Sequence, residues 1–582
     1  MKQSVCGSLL AAALESQGVR HVFGIPDGTY LPFLASLDDH GIELVTPRHE
    51  TTAVHMAGAY ARITKGLGVC IASNGPGVAN ALSGVAVENA EGNRVLLITS
   101  SRRRSINRPD RGGSYQCFDQ TGVIGPMAKW SESVSSPERM PELVEKALGA
   151  CFAGRAGVVH LDVPEDVIGE RVQPSPNWNP TKRFRHAPAP DPAQVEEAAE
   201  MLATARLPML HIGGGVSVSD CEPALMEIVH LLHAPLLTSW SARGIVRETD
   251  ELVWPMVFVD SCTAVRTQAD LVLCIASRLG ETDFWGKPPY WGPDDRQEFI
   301  RVDIAAERLD LNRPSRLAIL SDAGLFLKAL LDAIRRKSDE IDRSGRDKAV
   351  APLIDRREKE RSDLAKRLSD RSVPMLTAHV PVLCDEVLDE DAILVLDGGN
   401  TAVWGHSYHR VRHPGTLLGT PHFGHLGAGA GQALGAAAAR PGTPVCCLTG
   451  DGAFGFHPQE IETAIRHGLT VVFVVVCDRQ WGMVKIGQQI SLKPVKTVVR
   501  KSLSPEETIG TELGDVAWDQ VAAAMGAHGE RVDNPDEFRE ALRRSLDSGL
   551  CSVIHVDVDP VKHLWAPGLK NFKKMHQEPS GR

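Results

Sequence analysis

The sequence contains two carboxylates, each just after a predicted strand. Asp451 follows the apolar stretch 444–449 in a Gly-Asp-Gly turn, and Asp478 follows the β-branched stretch 470–477. The segment between them has helical spacing and stops at Gly468, so we predict a β-α-β unit with parallel strands. Both carboxylates are therefore expected at one edge of a sheet, about 5 Å apart if the strands are neighbours.

A bound cation would offset the repulsion between the two carboxylates. Two unit charges at this distance repel by roughly 4 kcal/mol at an effective dielectric constant of about 20. All-oxygen ligands without His or Cys indicate Mg²⁺ rather than Zn²⁺, and Mg²⁺ usually takes phosphate oxygens as well. We therefore predict a Mg²⁺ site that holds a diphosphate at the strand ends. The alternative is a surface turn at Asp451 and a helix cap at Asp478.

Further glycine-rich turns occur upstream in the same block, in LDGGNTAVW (396–404) and FGHLGAGAGQALGAAAA (423–439). The second opens a helix of small residues, whose first N–H groups could bind a phosphate. Tight packing of that helix against a neighbour is the alternative explanation.

Glu50 is the acidic candidate near the start of the chain. It follows a short predicted strand and begins the helix in RHETTAVHMAGAYARITKG. A Glu at a helix N-terminus is also common as dipole compensation, which is worth about 0.3–1 kcal/mol. By itself, Glu50 therefore decides nothing.

The elements that must position these residues form three successive α/β blocks with parallel sheets, since short apolar strands alternate with helical segments in each block. The blocks form a coarse repeat of architecture. The predicted boundaries are a first domain 1–172, a Pro-rich linker 173–192, a central domain 193–335, a charged, solvated helical connector 336–373, a third domain 374–558 and a C-terminal tail 559–582.

Composition excludes several classes of function. The net charge of -10 over 582 residues, without a long basic tract, argues against nucleic acid as a partner. The 12 cysteines show no CxxC pair, and we expect buried thiols in a reducing compartment. No stretch approaches the ~20 apolar residues that span a membrane. We expect a cytoplasmic enzyme.

Three motifs together resemble those of a known family. They are Arg48-His49-Glu50, the turn Gly75-Pro76-Gly77, and the Gly-Asp-Gly turn followed 27 residues later by Asp478. In this combination the chain resembles the thiamine-diphosphate enzymes of the acetolactate synthase and 2-oxo acid decarboxylase superfamily, over nearly its whole length. The resemblance implies a pyrimidine-binding first domain, a central nucleotide-fold-like domain and a diphosphate-binding third domain. It also implies a homodimer or homotetramer, with each cofactor held between the first domain of one subunit and the third domain of another.

The resemblance assigns roles to individual residues. Glu50 would bind N1′ of the aminopyrimidine and relay its proton, and Leu426 would impose the bent cofactor conformation. Mg²⁺ would be held by Asp451, Asp478 and the backbone carbonyl of Gln480. The residues expected to bind thiamine diphosphate are Pro76, Asn400, Thr401, Gly424, His425, Leu426, Gly450, Gly452, Ala453 and Met483.

Two segments bear on the reaction. Gly28, in FGIPDGTYLPF, stands where acetolactate synthase has a glycine that leaves room for a second substrate, and Gln116 matches the pocket glutamine of the synthases. The resemblance therefore implies decarboxylation of a 2-oxo acid and transfer of the carbanion/enamine to an acceptor. Asp27 departs from the synthase pattern. A shift of one residue in the alignment would make it a proton donor, which keeps a non-ligating decarboxylase or 2-hydroxyacyl lyase as an alternative.

The central domain leaves a second cofactor open. LHIGGGVSV and ASRLGETDFWG resemble the strand-turn elements that bind FAD in the synthases and in pyruvate oxidase, or ADP in oxalyl-CoA decarboxylase. GGGV is not the GxGxxG fingerprint, and an empty nucleotide fold is the alternative. An FAD-linked pyruvate oxidase and a non-catalytic homologue are the remaining hypotheses.

Asp478 itself departs from the family, which usually has an Asn pair where this chain has Cys477-Asp478. The second metal ligand would then be a charged carboxylate instead of a neutral amide. We expect Arg479 or Lys485 to offset the additional negative charge.

Overall fold

The computed structural model describes residues 3–107, 109, 112–174, 178–184 and 186–569. Within these residues, three six-stranded parallel sheets follow one another along the chain, which confirms the predicted α/β fold class. A short antiparallel pair, Ser4–Val5 with Arg171–Val172, joins the two ends of the first domain. Parts of the predicted linker and of the C-terminal tail lie outside the described residues.

The first and third sheets share one topology. When the six strands of each sheet are numbered along the chain, both have the spatial order 2-1-3-4-6-5. The predicted repeat of architecture therefore extends to strand order. The strands in spatial order are Glu43–Val45, His21–Gly24, Gly68–Ala72, Val95–Ser101, Val158–Pro164 and Trp130–Ser133 in the first sheet, and Leu417–Gly419, Ile393–Leu396, Val445–Gly450, Val472–Cys477, Ser552–Asp557 and His528–Val532 in the third.

Helices cover both faces of these two sheets, which is why their central strands are largely apolar, whereas the edge strands Trp130–Ser133 and His528–Val532 are mostly polar. Those of the first domain are Cys6–Ser16, Leu31–Leu34, Glu50–Thr64, Pro76–Glu91, Arg104–Asn107, Gln120–Ile124, Met140–Phe152 and Glu165–Ile168. Those of the third domain and the tail are His379–Val387, Asn400–Tyr408, Ala428–Ala439, Asp451–Phe454, Glu460–Arg466, Gly482–Leu492, Pro494–Arg500, Trp518–Ala524, Pro535–Asp547 and Pro560–His563.

The central sheet has a different topology. Its spatial strand order is 3-2-1-4-5-6, the order found in dinucleotide-binding folds. The strands in that order are Val253–Pro255, Leu236–Thr238, Pro208–Ile212, Leu271–Ile275, Glu298–Asp303 and Leu317–Leu320, and the helices are Pro192–Thr204, Glu222–Leu232, Val259–Gln268 and Ala323–Arg336.

The connector contains one long helix, Arg343–Ala365. Although its composition predicts a solvated helix, Arg346, Val350, Leu353 and Arg357 are buried along one stripe. The guanidinium of Arg346 donates to four carbonyls at the C-terminal ends of Pro192–Thr204 and Glu222–Leu232: those of Leu202, Ala203, Ala205 and Leu232. The connector therefore closes one end of the central domain.

The first and third domains pack through topologically equivalent helices, Glu50–Thr64 and Ala428–Ala439, each of which follows the second strand of its domain. Glycines allow the contact, because a Cβ on Gly431 would lie 2.7 Å from Cβ of His55 and one on Gly435 would lie 2.3 Å from the Met56 carbonyl. Tight packing, the alternative considered above, thus accounts for the small residues of the second helix.

Expectations from composition can also be compared with the structure. Every cysteine except Cys117 is buried, and all are free thiols. Among the described helices, none has the length and apolar content needed to cross a bilayer.

Candidate active site

A cavity of ≈ 360 Å³ lies at the carboxyl ends of Ile393–Leu396 and Val445–Gly450. These two strands are neighbours, and the chain leaves them toward opposite sides of the sheet. Such a switch point leaves a crevice outside the strand ends, where open α/β sheets bind their ligands. The topology alone therefore places a ligand site here.

Twelve of the sequence-predicted site residues line this cavity. They come from five separate turns and helix starts of the third domain, which only the fold brings together. They are Asn400, Thr401, Gly424, His425, Leu426, Gly450, Asp451, Gly452, Ala453, Asp478, Gln480 and Met483.

Asp451 and Asp478 follow adjacent parallel strands, as expected, since Gly450 is paired with Val476. Asp451 accepts the backbone N–H groups of Gly452 and Arg479, each at 2.8 Å. Oδ2 of Asp478 is buried and has no hydrogen-bond partner among the described residues. An unsatisfied buried carboxylate oxygen fits a role as a cation ligand.

The pKa of both carboxyl groups is raised to about 7, chiefly by burial and, for Asp451, also by the charge of Asp478. Neither expected counter-charge is free, because Arg479 pairs with Asp515 and Asp557, and Lys485 pairs with Glu512. The charge of Arg479 lowers the pKa of Asp451 and that of Lys485 lowers the pKa of Asp478, so each offsets part of the negative charge. A bound divalent cation would supply the missing compensation.

The described residues contain no group of three or more His, Cys, Asp or Glu side chains that could hold a metal alone. The carboxylate pair would therefore need further oxygen ligands. The predicted third ligand, the backbone carbonyl of Gln480, already accepts the Gly482 N–H at 2.9 Å, which leaves its second lone pair. Phosphate oxygens and water would complete the shell that Mg²⁺ requires.

Asn400 begins the helix Asn400–Tyr408, whose N-terminus opens into the cavity. Its side chain is only 4% exposed, yet neither amide atom has a partner among the described residues. Glycines keep the opposite wall close, since a Cβ on Gly450 would lie 2.9 Å from Oγ1 of Thr401. The Asn400 amide, which lacks a partner, and the N–H groups of the helix N-terminus could therefore donate hydrogen bonds to a diphosphate.

The second glycine-rich helix does not offer its N–H groups to a ligand. The carboxylate of Asp397 accepts the N–H groups of Gly427 and Gly429 at 3.0–3.2 Å. The expectation that this N-terminus binds a phosphate is therefore wrong for these two amides. Asp397 was not singled out from the sequence, although it directly follows a buried strand as Asp478 does.

Four predicted site residues do not line the cavity: Glu50, Pro76, Gln116 and Gly28. Glu50 is 8% exposed, accepts a hydrogen bond from Asn80 at 3.0 Å, and lies beside the Gly75-Pro76-Gly77 turn. The carbonyl of Gln116 accepts from Asn74 at 3.0 Å next to the same turn. Within one chain, the candidate site is thus divided between two domains.

Gly28 belongs to the first-domain part as well. Gly28 is exposed on the single chain, and a Cβ added there would meet nothing within 4 Å. Its neighbour Asp27 caps the turn by accepting the N–H and hydroxyl of Thr29, and the Ser100 hydroxyl lies 2.6 Å from that of Thr29. The Asp27 carboxylate is therefore committed to local structure.

Other residues that line the cavity were not predicted to do so. Trp240 and Thr282 come from the central domain, Thr282 from the ASRLGETDFWG segment, and His406 comes from the middle of a third-domain helix. His563, from the tail, lies 3.8 Å from Oδ2 of Asp478, and burial lowers its pKa to about 3. His563 is therefore neutral and does not balance that carboxylate.

A second cavity of ≈ 330 Å³ lies at the switch point of the central sheet, between Pro208–Ile212 and Leu271–Ile275. Its floor includes the predicted Gly213–Gly215 turn, where a Cβ on Gly213 would lie 2.1 Å from the Ala276 carbonyl. Three cations line it, Arg155, Arg278 and Arg308, together with five carboxylates: Glu91, Glu281, Asp283, Asp303 and Asp322. The arginines could pair with the phosphates of a nucleotide, and a carboxylate such as Asp303 could accept a ribose hydroxyl.

Comparison with known proteins agrees with this geometry. Residues 5–123 match the thiamine pyrophosphate enzyme N-terminal TPP binding domain, residues 195–330 the central domain, and residues 397–556 the C-terminal TPP binding domain. The chain is 30% identical to the acetolactate synthase large subunit of Mycobacterium tuberculosis, with 95% of this chain and 96% of that protein covered. The chain belongs to the thiamine pyrophosphate enzymes.

Within this family, the chain lies on the acetolactate synthase-like branch. It is 26% identical to a probable acetolactate synthase large subunit of Methanocaldococcus jannaschii, over 95% of this chain and 91% of the other. It is also 27% identical to human 2-hydroxyacyl-CoA lyase 1, over 96% of this chain and 95% of that protein. The protein is therefore a thiamine pyrophosphate-dependent enzyme of the carboligase or lyase type.

Proposed function

We propose that the enzyme decarboxylates a 2-oxo acid and joins the remaining carbon fragment to a carbonyl acceptor, as an acetolactate synthase does. The observation that carries this proposal is the buried pair Asp451 and Asp478 beside the orphaned amide of Asn400, at a strand switch point. The proposal is also supported by the open space at Gly28, which leaves room for a second substrate.

The chain's own residues bind and orient the reactants. Asp451, Asp478 and the Gln480 carbonyl would hold Mg²⁺, while Asn400 and Thr401 would hold the diphosphate. Leu426 and Met483 would support the thiazolium ring. Bound thiamine pyrophosphate supplies the nucleophilic carbon and the electron sink.

Glu50 would bind N1′ of the aminopyrimidine and exchange its proton there. A carboxylate in this role must be shielded from water, and Glu50 is nearly buried. Since Glu50 does not line the diphosphate cavity of its own chain, we propose a homodimer or homotetramer in which a second copy brings Glu50 to that cavity. Gln116, beside the same turn, would then face the substrates.

The second cavity supports an additional proposal, that the central domain binds FAD or ADP. The three arginines provide counter-charge for a diphosphate, and Asp303 is placed to accept a ribose hydroxyl. Visible absorbance of the purified protein would reveal a flavin, and chromatography of the released nucleotide would reveal ADP. If neither is released and neither binds to the apoprotein, this proposal is wrong.

The main alternative is a 2-hydroxyacyl lyase or a non-ligating decarboxylase, since a 2-hydroxyacyl-CoA lyase is among the relatives. Mass analysis of products from a panel of 2-oxo acids, aldehydes and 2-hydroxyacyl-CoA esters separates these functions. We expect acetolactate or a related ligation product from 2-oxo acids. Free aldehyde alone would indicate decarboxylation, cleavage of the CoA esters would indicate the lyase, and oxygen uptake would indicate an oxidase. No turnover together with normal cofactor binding would indicate a non-catalytic homologue.

A further inference from the structure

His406 lines the cofactor cavity but belongs to no family motif used above. It lies on the helix Asn400–Tyr408, six residues beyond Asn400, which corresponds to about 9 Å along the helix axis. Its ring is 8% exposed and meets the indole of Trp240 edge to face, with 5.2 Å between ring centroids. The imidazole therefore has a fixed position at the border of the central and third domains.

Arg243 fixes which nitrogen of His406 carries the proton. All five N–H groups of this buried guanidinium have acceptors: two donate to the Glu248 carboxylate at 2.7 Å each, and one donates to the His409 carbonyl at 3.0 Å. The remaining two donate to the carbonyl of His406 at 2.6 Å and to its Nδ1 atom at 3.0 Å. Because an arginine cannot accept a hydrogen bond, Nδ1 of His406 must be the acceptor.

The proton of the neutral ring must then lie on Nε2. Burial, followed by the nearby charge of Arg243, holds the pKa of His406 well below its ordinary value, so the ring does not become a cation at neutral pH. Nε2 makes no hydrogen bond to any described residue. His406 therefore presents a single N–H donor that has no partner within the described chain.

The charges of the residues that line the cavity indicate what this donor binds. Among the described residues that line it, none is Lys or Arg, while Asp397, Asp451 and Asp478 are acidic. A neutral donor in such a site suits a neutral oxygen better than a charged one. The Nε2–H is accessible from the cavity and is not fully buried, so a substrate carbonyl there can accept its hydrogen bond.

We propose that His406 is a substrate-binding residue, whose Nε2–H donates a hydrogen bond to a carbonyl oxygen of the substrate held beside the cofactor. Arg243 and Glu248 are positioning residues that lock the tautomer. This inference rests on the proposed function, because it takes the substrate to be a 2-oxo acid or another carbonyl compound. A neutral, oriented imidazole is also an effective electrophilic partner for developing negative charge on such an oxygen.

The tautomer can be tested without turnover. In holoenzyme labelled with ¹⁵N-histidine, the signals that His406→Phe removes should show a neutral ring protonated at Nε2. They should not titrate between about pH 5.5 and 8, where an ordinary histidine would. A signal from an Nδ1–H tautomer, or titration near the ordinary pKa, would overturn the proposal.

Binding and kinetics test the contact itself. His406→Phe should lower kcat/KM for the best 2-oxo acid about 10- to 100-fold, as expected for one lost hydrogen bond to a substrate, and leave the Kd for thiamine pyrophosphate within about twofold. His406→Gln, which can accept from Arg243 and still donate, should recover part of this loss. His413→Phe, a change at an exposed ring in the same domain, is the control.

Calorimetry of pyruvate binding to the Glu50→Gln holoenzyme separates this inference from the proposed function. Weaker binding after adding His406→Phe supports the contact even if the products are not those proposed. Equal binding with and without His406→Phe would overturn the contact while leaving the proposed function standing. If neither pyruvate nor any other 2-oxo acid of the product panel binds in either background, both are wrong.

Discussion

Asp478 shows how one residue decides the chemistry of a site. It follows the last residue of a fully buried strand, and it shares the edge of the sheet with Asp451. In the absence of a cation, the structure gives both carboxyl groups pKa values of about 7. Near neutral pH, protons and a divalent metal ion would therefore compete for these two carboxylates.

Substitution of Asp478 should distinguish a metal ligand from a strand-end cap. Asp478→Asn keeps an oxygen ligand, so we expect Mg²⁺-dependent thiamine pyrophosphate binding to persist. Asp478→Ala removes the oxygen and should weaken cofactor binding at least about 10-fold. Fluorescence titration with cofactor, with and without a chelator, measures both variants. Normal Mg²⁺-dependent binding by the alanine variant would show that Asp478 is only a cap.

The same pair predicts a pH dependence for the apoprotein. Both folded-state pKa values lie above the ordinary value of 3.8, so the folded protein binds more protons than the unfolded chain between that pH and about 7. The contribution of the pair to stability is therefore fully present below the unfolded pKa and is lost as the pH rises through about 7. We expect the melting temperature of apo Asp478→Asn to decline less than that of the wild type over this range. Parallel melting curves for the two apoproteins would contradict the predicted coupling.

Sequence reasoning identified residues that lie next to a recognisable turn or strand end, such as Asp451, Asn400 and Glu50. It missed His406 and Trp240, because no local pattern marks a residue that reaches a cavity from the middle of a helix or from another domain. Arg479 and Lys485 do offset part of the negative charge of the pair, as expected from the sequence, since their charges lower the two pKa values. Their ion pairs with Asp515, Asp557 and Glu512 could not be expected, because these residues become neighbours only in the folded chain.

At the scale of elements, the hydrophobic pattern of the connector helix does not predict which of its residues are buried. The fold class followed from the alternation of apolar strands and helices, and the structure confirms it. The helix Arg343–Ala365, in contrast, buries Arg346 and Arg357 along with two apolar residues. An arginine counts as polar in any periodicity analysis, although its guanidinium can cap helix ends inside a protein.

Replacement of Arg346 should therefore destabilise the central domain. Arg346→Met removes all donors to four helix-end carbonyls and should cost about 3 kcal/mol, visible as a loss of about 5 °C or more in calorimetric melting temperature. Arg356→Met changes an exposed residue of the same helix and should have little effect. Equal melting temperatures for the two variants would mean that the caps contribute nothing.

At the scale of the whole molecule, the candidate site lies in two parts, and a complete site depends on how subunits assemble. Glu50 and Gln116 lie on the first domain, while the carboxylate pair and Asn400 line a cavity of the third. The sequence could not give this separation, because it depends on how two domains pack that are separated in the chain by residues 173–373. Motifs show which residues act together, but not whether one chain supplies them all.

A mixture of two inactive variants tests the proposed assembly. Glu50→Gln and Asp478→Ala should each be inactive alone. If sites form between subunits, co-expression should restore about a quarter of wild-type activity, since half of randomly paired dimers contain one intact site of two. The mixture would stay inactive if each chain built its own site. Sedimentation of the mixture confirms that dimers are present.

The helix contact between Glu50–Thr64 and Ala428–Ala439 has a consequence for how the chain is made. One continuous apolar core includes Phe23 and Cys70 of the first domain and Val475 and Val553 of the third. The ribosome, at about 5–20 residues per second, needs tens of seconds after completing the first helix to deliver the second. During that interval the nascent first domain must wait with an apolar face uncovered. We expect chaperones to occupy that face during synthesis.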